Sequence, residues 1–210
     1  ITSCTYSADF PVANAFQNTN AGSLDGVVFK FNESLSNLAW SSYIGGTFDD
    51  ASYSISLDNN QNILIAGGTQ SIDFPIANAL QSVFNGGSAD GFIAKIHSAG
   101  STILHSTYFG TADYDQIYFV DHNADDEVYV FGQTKGPSGA LVQNAPYNKP
   151  NGGQLLSKFN SNVSTITWST RFGDEAGKPD ISPTAFLVDV CNQVFLSGWG
   201  GPNLGGNTNL

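Results

Sequence analysis

Apolar and polar residues alternate with period two over short runs, seen at Val27–Phe31, Trp40–Ile44, Ser54–Leu57 and Ile63–Ala66. That period sends successive side chains to opposite faces of an extended chain, which is the pattern of a half-buried β-strand. Asn, Ser, Gly and Asp separate the runs, and these are residues that turns favour. No window holds the 3.6-residue period of an amphipathic helix. The stretch after each Asp-Phe-Pro has room for one helical turn at most. Strands are expected near residues 26–32, 38–45, 53–58 and 62–68, with counterparts about 65 and 130 positions later.

The pattern recurs because the sequence does. SADFPVANAFQ (Ser7–Gln17) returns as SIDFPIANALQ (Ser71–Gln81), 64 positions on. LDGVVFKF, ending at Phe31, returns as ADGFIAKI, ending at Ile96. AWSSYIGGT (Ala39–Thr47) returns as LHSTYFGT and then as TWSTRFGD, so Trp40, His105 and Trp168 share one position. ISLDNNQNILIAGGT (Ile55–Thr69) returns from Tyr118 and again from Phe186. The copies span about 5–68, 69–133 and 134–200. Four short antiparallel strands per copy is the arithmetic of a β-propeller blade, so an all-β, partial propeller is expected. Two complete blades are expected at about 53–109 and 116–172, each running from the ISLD strand through ILIAG and VVFKF to WSSYI. The phase with VVFKF innermost is the alternative. The DFP loops and the crossovers between copies then lie at one end, the hairpins at the other.

These blocks (DFPxxNAxQ, DGFxxK, the aromatic-Ser-(Ser/Thr)-Tyr-x-Gly run and IxxDxxxNxxxxG(G)T) resemble the SBBP β-propeller repeat of secreted bacterial proteins. The third copy, from Asp180 to Gly201, is similar to a version in large surface proteins of Bacteroidota. It departs from the pattern where KGPSGALVQNAPYNKPNGG stands in place of DFP. The resemblance implies a secreted or cell-surface location and a propeller fold, and no shared activity.

Charge narrows the partners. Lys and Arg number seven against eighteen Asp and Glu, for a net charge of −11. Nucleic acid and anionic membrane surfaces both call for clustered cations, so neither is an expected partner. No run is apolar enough to insert into a membrane as a helix. The chain opens on Ile1 without Met and reads as a piece of something longer or a processed product. The expected partners are further blades of the same polypeptide or another protein chain, with a surface glycan as a further candidate. Cys4 and Cys191 occupy different repeat positions; two free, buried thiols are expected, with a disulfide the alternative.

Candidate chemistry is sparse. Asp49, Asp50, Asp113 and Asp115 gather at the crossovers and carry the oxygens calcium prefers. The same residues cap turns by accepting backbone N–H bonds, which is the leading reading, and no cofactor is expected. Asp58, Asp121 and Asp189 read as turn formers. His97, His105 and His122 neither pair nor recur, which argues against zinc. No GxSxG turn marks a nucleophile, and no acid pair stands out from the repeat. Trp199, non-repeating and flanked by Gly198 and Gly200, is the preferred single contact residue. A non-catalytic scaffold or adhesion module is the expected function. A carbohydrate-binding or calcium-dependent lectin-like propeller, or the non-catalytic part of a larger secreted enzyme, are the alternatives.

Overall fold

The computed structural model describes residues 1–200, in which thirteen strands and no helix occur. The first sheet holds β1 (Thr2–Thr5), β2 (Asp25–Phe31) and β3 (Leu38–Ile44), in that order. The second runs β4 (Asp50–Leu57), β5 (Ile63–Thr69), β6 (Asp90–Ile96), β7 (Ile103–Phe109). The third runs β8 (Asp115–His122), β9 (Val128–Thr134), β10 (Gln154–Phe159), β11 (Ile166–Phe172). The fourth pairs β12 (Ser182–Val188) with β13 (Val194–Trp199). Every pairing is antiparallel between strands consecutive in sequence. The two four-stranded sheets group the strands as the first phase expects; a start at VVFKF would have put β6 and β7 in one sheet with β8 and β9.

Neighbouring sheets pack face to face, with β4 against β1 and β2, β8 against β4 and β5, and β12 against β8 and β9. Period-two alternation in β5 and β6 serves two interfaces at once. Ile63, Ile65, Phe92 and Ala94 join Val28, Trp40 and Ile44 of the first sheet. The residues between them, Leu64, Ala66 and Ile93, join Ile117, Val120 and Val130 of the third. All seven positions of β5 and of β6 are therefore buried. A strand covered on both faces reads as a continuous apolar run, and ILIAGGT approaches that.

One detail sharpens the expectation and two depart from it. The stretch after Asp-Phe-Pro forms no helical turn: Ala13 and Ala77 make single bridges to Ser41 and Ser106 on the last strand of their sheets. Asn14 and Asn78, with φ of 51° and 49°, turn the chain away after that bridge, a conformation Asn tolerates. β4 and β8 begin several residues earlier than predicted, because Asp50 and Asp115 donate their N–H groups to Leu24 and Ala89 of the preceding sheet. Cys4 and Cys191 are free, as expected, but exposed rather than buried. Cys4 lies on β1, an edge strand, and Cys191 sits in the tip of the Asp189–Gln193 turn.

Candidate functional site

The DFP loop and the crossover meet at one end of each sheet, tied by Thr47 N–H to Asp73 Oδ1 (2.9 Å) and Phe48 N–H to Ser71 Oγ (2.8 Å). The opposite end carries the hairpins, where Ser98 N–H reaches Asn62 Oδ1. The motif residues explain themselves here. The hydroxyl of Tyr108 donates to Ser71 O (2.8 Å) and accepts from Phe74 N–H (3.1 Å). Tyr43 does the same for Ser7 and Phe10 in the first copy. Gln81 takes Gly110 N–H on its Oε1 and gives its Nε2 to Asp90 Oδ2, as Gln17 does with Gly45 and Asp25.

These loops enclose two pairs of aspartates. Asp25 opens β2 and Asp50 opens β4; Asp90 opens β6 and Asp115 opens β8. All four are completely buried. In each, one oxygen collects every hydrogen bond the side chain receives in those loops. Asp25 Oδ2 accepts from Ala21 N–H and Gln17, Asp50 Oδ2 from Gly46 N–H and Ser71 Oγ. Asp90 Oδ2 accepts from Asn85 N–H and Gln81, Asp115 Oδ2 from the N–H and hydroxyl of Thr111. The other oxygen, Oδ1, makes no hydrogen bond of good geometry in any of the four, although the hydroxyls of Thr69 and Thr134, paired with Asp50 and Asp115 across the strands, help to hold those two acids charged.

Each pair bridges two sheets. A Cβ on Gly45 would stand 2.7 Å from Asp25 Oδ1 and 2.9 Å from Asp50 Oδ2, so both carboxylates crowd one spot and only glycine fits there. Gly110 holds the same place: a Cβ there would stand 2.5 Å from Asp90 Oδ1. Burial disfavours the charged form and mutual repulsion adds to it. Burial, then Asp25, leave Asp50 with a pKa near 6 despite its hydrogen bonds. Burial raises Asp90 to about 7, with Asp115 adding to the shift. Asp25 and Asp115 are raised as well, again chiefly by burial.

The third copy removes one acid. Gly153 stands where Asp25 and Asp90 do; the next residue, Gln154, takes the place of Gly26 and Gly91, and its Nε2 donates to Ile181 O (3.0 Å) and to Asp180 Oδ1 (3.4 Å). Asp180 takes the place of Asp50, accepting Asp174 N–H on Oδ2 at 2.7 Å. Tyr147 replaces the glutamine that clamps the acid in the other copies, so acid and clamp disappear together. Arg171 replaces Tyr108 there, fully buried, donating to the carbonyls of Gly152, Gly136 and Pro137.

Of the residues singled out from sequence, only Asp50 and Asp115 enter this site. Asp49 is half-buried and accepts Leu24 N–H, which is turn capping. Asp113 is exposed. Trp199 ends β13 opposite Ser182 and is half-buried; the glycine-rich run that follows it passes outside the described residues after Gly200. Asp25 and Asp90 were missed as site residues. Their signal is an Asp-Gly pair heading an otherwise apolar strand, lost in the copy that also loses the glutamine.

Two other groupings merit description. Ser56, Asp121 and His122 meet between β4 and β8, but Ser56 Oγ (3.1 Å) and Asp121 Oδ1 (3.7 Å) approach the same nitrogen, Nδ1. A catalytic triad needs the two on opposite ring nitrogens. Tyr53 stacks on Tyr118 (5.3 Å between centroids, 17°), and Gln116 donates to the Tyr53 hydroxyl. Tyr53 and Gln116, with Asp49 and Gln70, line a small polar cleft at the loop end. Among the described residues, no three of His, Cys, Asp and Glu come together as metal ligands. Comparison of the chain with family models and with curated proteins gives no match.

Proposed function

We propose that the chain is part of a β-propeller that works as a non-catalytic scaffold or binding module at the cell surface or outside the cell. The observation that carries this reading is the match between repeat and sheet. Each repeat length yields one four-stranded antiparallel sheet, made of the last two strands of one copy and the first two of the next, and successive sheets stack face to face through the same positions. Radial repetition of that unit makes a propeller. Continuation of the stack is supported by the fourth sheet, where Phe195 and Leu196 are 51% and 36% exposed. Their counterparts Leu64 and Ile65 in β5 are at 0%. Further blades of the same polypeptide, or another chain, are the natural cover for that face.

The non-catalytic reading rests on where the reactive residues are used. The recurring Asp, Gln, Tyr and Ser side chains hold loops to strands through the bonds described above. The likeness of the blocks to the SBBP repeat supports a secreted bacterial origin. A glycan-binding version of the module is favoured by one specific feature, the stacked Tyr53 and Tyr118 beside Gln116 and Asp49, since aromatic faces flanked by amides and acids suit sugar rings. Small-angle scattering and particle imaging of the polypeptide carrying this chain test the architecture: a ring with a central channel is expected, and an open or flat assembly overturns the propeller. A glycan array with wild type, Tyr53→Ala and Trp199→Ala tests the sugar version, which fails if no glycan binding depends on Tyr53.

A further inference from the structure

We propose that the cleft where β4 and β8 meet at the loop end binds one uncharged sugar ring, held through two neighbouring hydroxyl groups by Asp49 and Gln70. The inference rests on the glycan-binding version of the module given above, and names its site and its class of sugar. The cleft encloses about 140 Å³ and is lined by Asp49, Tyr53, Gln70 and Gln116, with the small residues Ala51 and Gly68 between them.

Comparison with the next copy shows what opens it. Asp50 pairs with Thr69 and Asp115 with Thr134, so the flanking residues correspond, Asp49 to Tyr114 and Gln70 to Lys135. The same backbone bond joins each pair, Gln70 N–H to Asp49 O and Lys135 N–H to Tyr114 O. In the third sheet the place is filled from within. The Lys135 ammonium lies over the Tyr114 ring at 5.3 Å, and the Tyr114 hydroxyl donates to Gln116 Oε1 at 2.7 Å. In the second sheet an acid and an amide replace ring and ammonium, Ala51 replaces Gln116, and a cleft results. The repeat thus builds a ring-sized place twice, fills it once and leaves it open once.

The groups around the open place retain bonding capacity. Asp49 uses Oδ1 to accept Leu24 N–H at 3.2 Å, and its Oδ2 has no partner among the described residues. The Gln70 side chain is exposed and makes no hydrogen bond among those residues. The Tyr53 hydroxyl accepts from Gln116 Nε2 at 3.2 Å and keeps its own proton for a further acceptor. A second, independent feature aims the aromatic wall. Tyr53 and Tyr118 are each the extra residue of a β-bulge, a device that redirects a side chain. They stack on each other at 5.3 Å, and Tyr53 keeps 42% of its surface exposed.

A carboxylate beside an amide matches adjacent hydroxyls, since the first accepts and the second both donates and accepts. The C–H face of a sugar ring packs on an aromatic ring. The Asp49 carboxylate and the net charge of −11 disfavour an anionic sugar, which restricts the class to neutral rings.

The test is calorimetric titration of the polypeptide carrying this chain with methyl α-glucoside, methyl α-mannoside and methyl β-galactoside, with glucuronate as the charged control. At least one neutral glycoside should bind one to one, and glucuronate should not. Asp49→Asn keeps an acceptor for Leu24 N–H and should weaken binding about tenfold. The double variant Asp49→Tyr with Gln70→Lys rebuilds the third sheet's filling, so it should melt no lower than wild type and lose binding. Full binding in either variant would overturn the site. No heat from any of the three glycosides, or binding of glucuronate in their place, would overturn it as well. A glycan array that still responds to wild type then keeps the wider glycan reading, and a silent array removes both.

Discussion

The ammonium of Lys95 lies 2.8 Å from Oδ2 of Asp58, with 7% and 1% of the two side chains exposed. Asp58 closes β4 and shapes the turn to β5, accepting Asn60 and Asn62 N–H on Oδ1. Lys95 comes from β6 and also donates to Ser161 O of the third sheet at 2.9 Å. Burial alone would raise the Asp58 carboxyl; Lys95 and Asn62 outweigh it and hold it below the usual range. One ion pair thus joins a turn, a strand and the neighbouring sheet.

Breaking it from the acid side should be severe. Asp58→Ala strands an ammonium in the interior and frees the turn N–H groups, and a loss of about 3–5 kcal/mol is expected in urea unfolding. Lys95→Met, which removes the charge and keeps the stem, should cost clearly less. Equal losses would mean the turn bonds alone matter.

The Tyr108 hydroxyl offers a cleaner deletion. It satisfies Ser71 O and Phe74 N–H at 1% exposure, so Tyr108→Phe leaves both buried without a partner. A loss of about 1–3 kcal/mol is expected. Tyr43→Phe should cost less, because Phe10 is only half-buried. Denaturant midpoints of the two variants decide the order.

Much of this was legible in the chain. The expected strand at 62–68 is β5 at 63–69, and 38–45 is β3 at 38–44, because period-two alternation and turn residues fix both ends. The grouping of strands into sheets followed from the repeat. The site was legible only in part. Asp50 and Asp115 stood out as acids at crossovers, whereas Asp25 and Asp90 looked like ordinary strand heads. Pairing across sheets is a long-range relationship, and local pattern carries no information on it. The cysteines misled for a similar reason: a residue type that is usually buried says nothing about whether its strand lies at an edge.

Gly100 shows how tightly the sheets interlock. It turns the β6–β7 hairpin with φ of 71°, and a Cβ there would overlap the Trp40 indole of the first sheet. Gly100→Ala combines left-handed strain with overpacking, so about 1–3 kcal/mol should be lost. Combining it with Trp40→Phe tests the contact, since the smaller ring should recover part of the overlap. A double variant whose loss is the sum of the two single losses would place the whole effect in the backbone.

The acid pairs shape the pH dependence of the protein's stability. Asp50 is raised to about 6 and Asp90 to about 7, against an unfolded value of 3.8. Between those limits the folded chain holds protons that the unfolded chain releases, so stability falls as pH rises through the window. The contribution is fully present below about pH 4 and gone above about pH 7. Asp58, Asp73 and Glu127 are shifted the other way and withdraw support as pH drops below about 4. Stability should therefore peak in mild acid, with a drop on the order of 1–3 kcal/mol per pair from about pH 5 to pH 8. Asp50→Asn should flatten its share of that drop. Urea unfolding at the two pH values makes the measurement. A wild-type chain equally stable at both would show that the two carboxyls ionise without penalty.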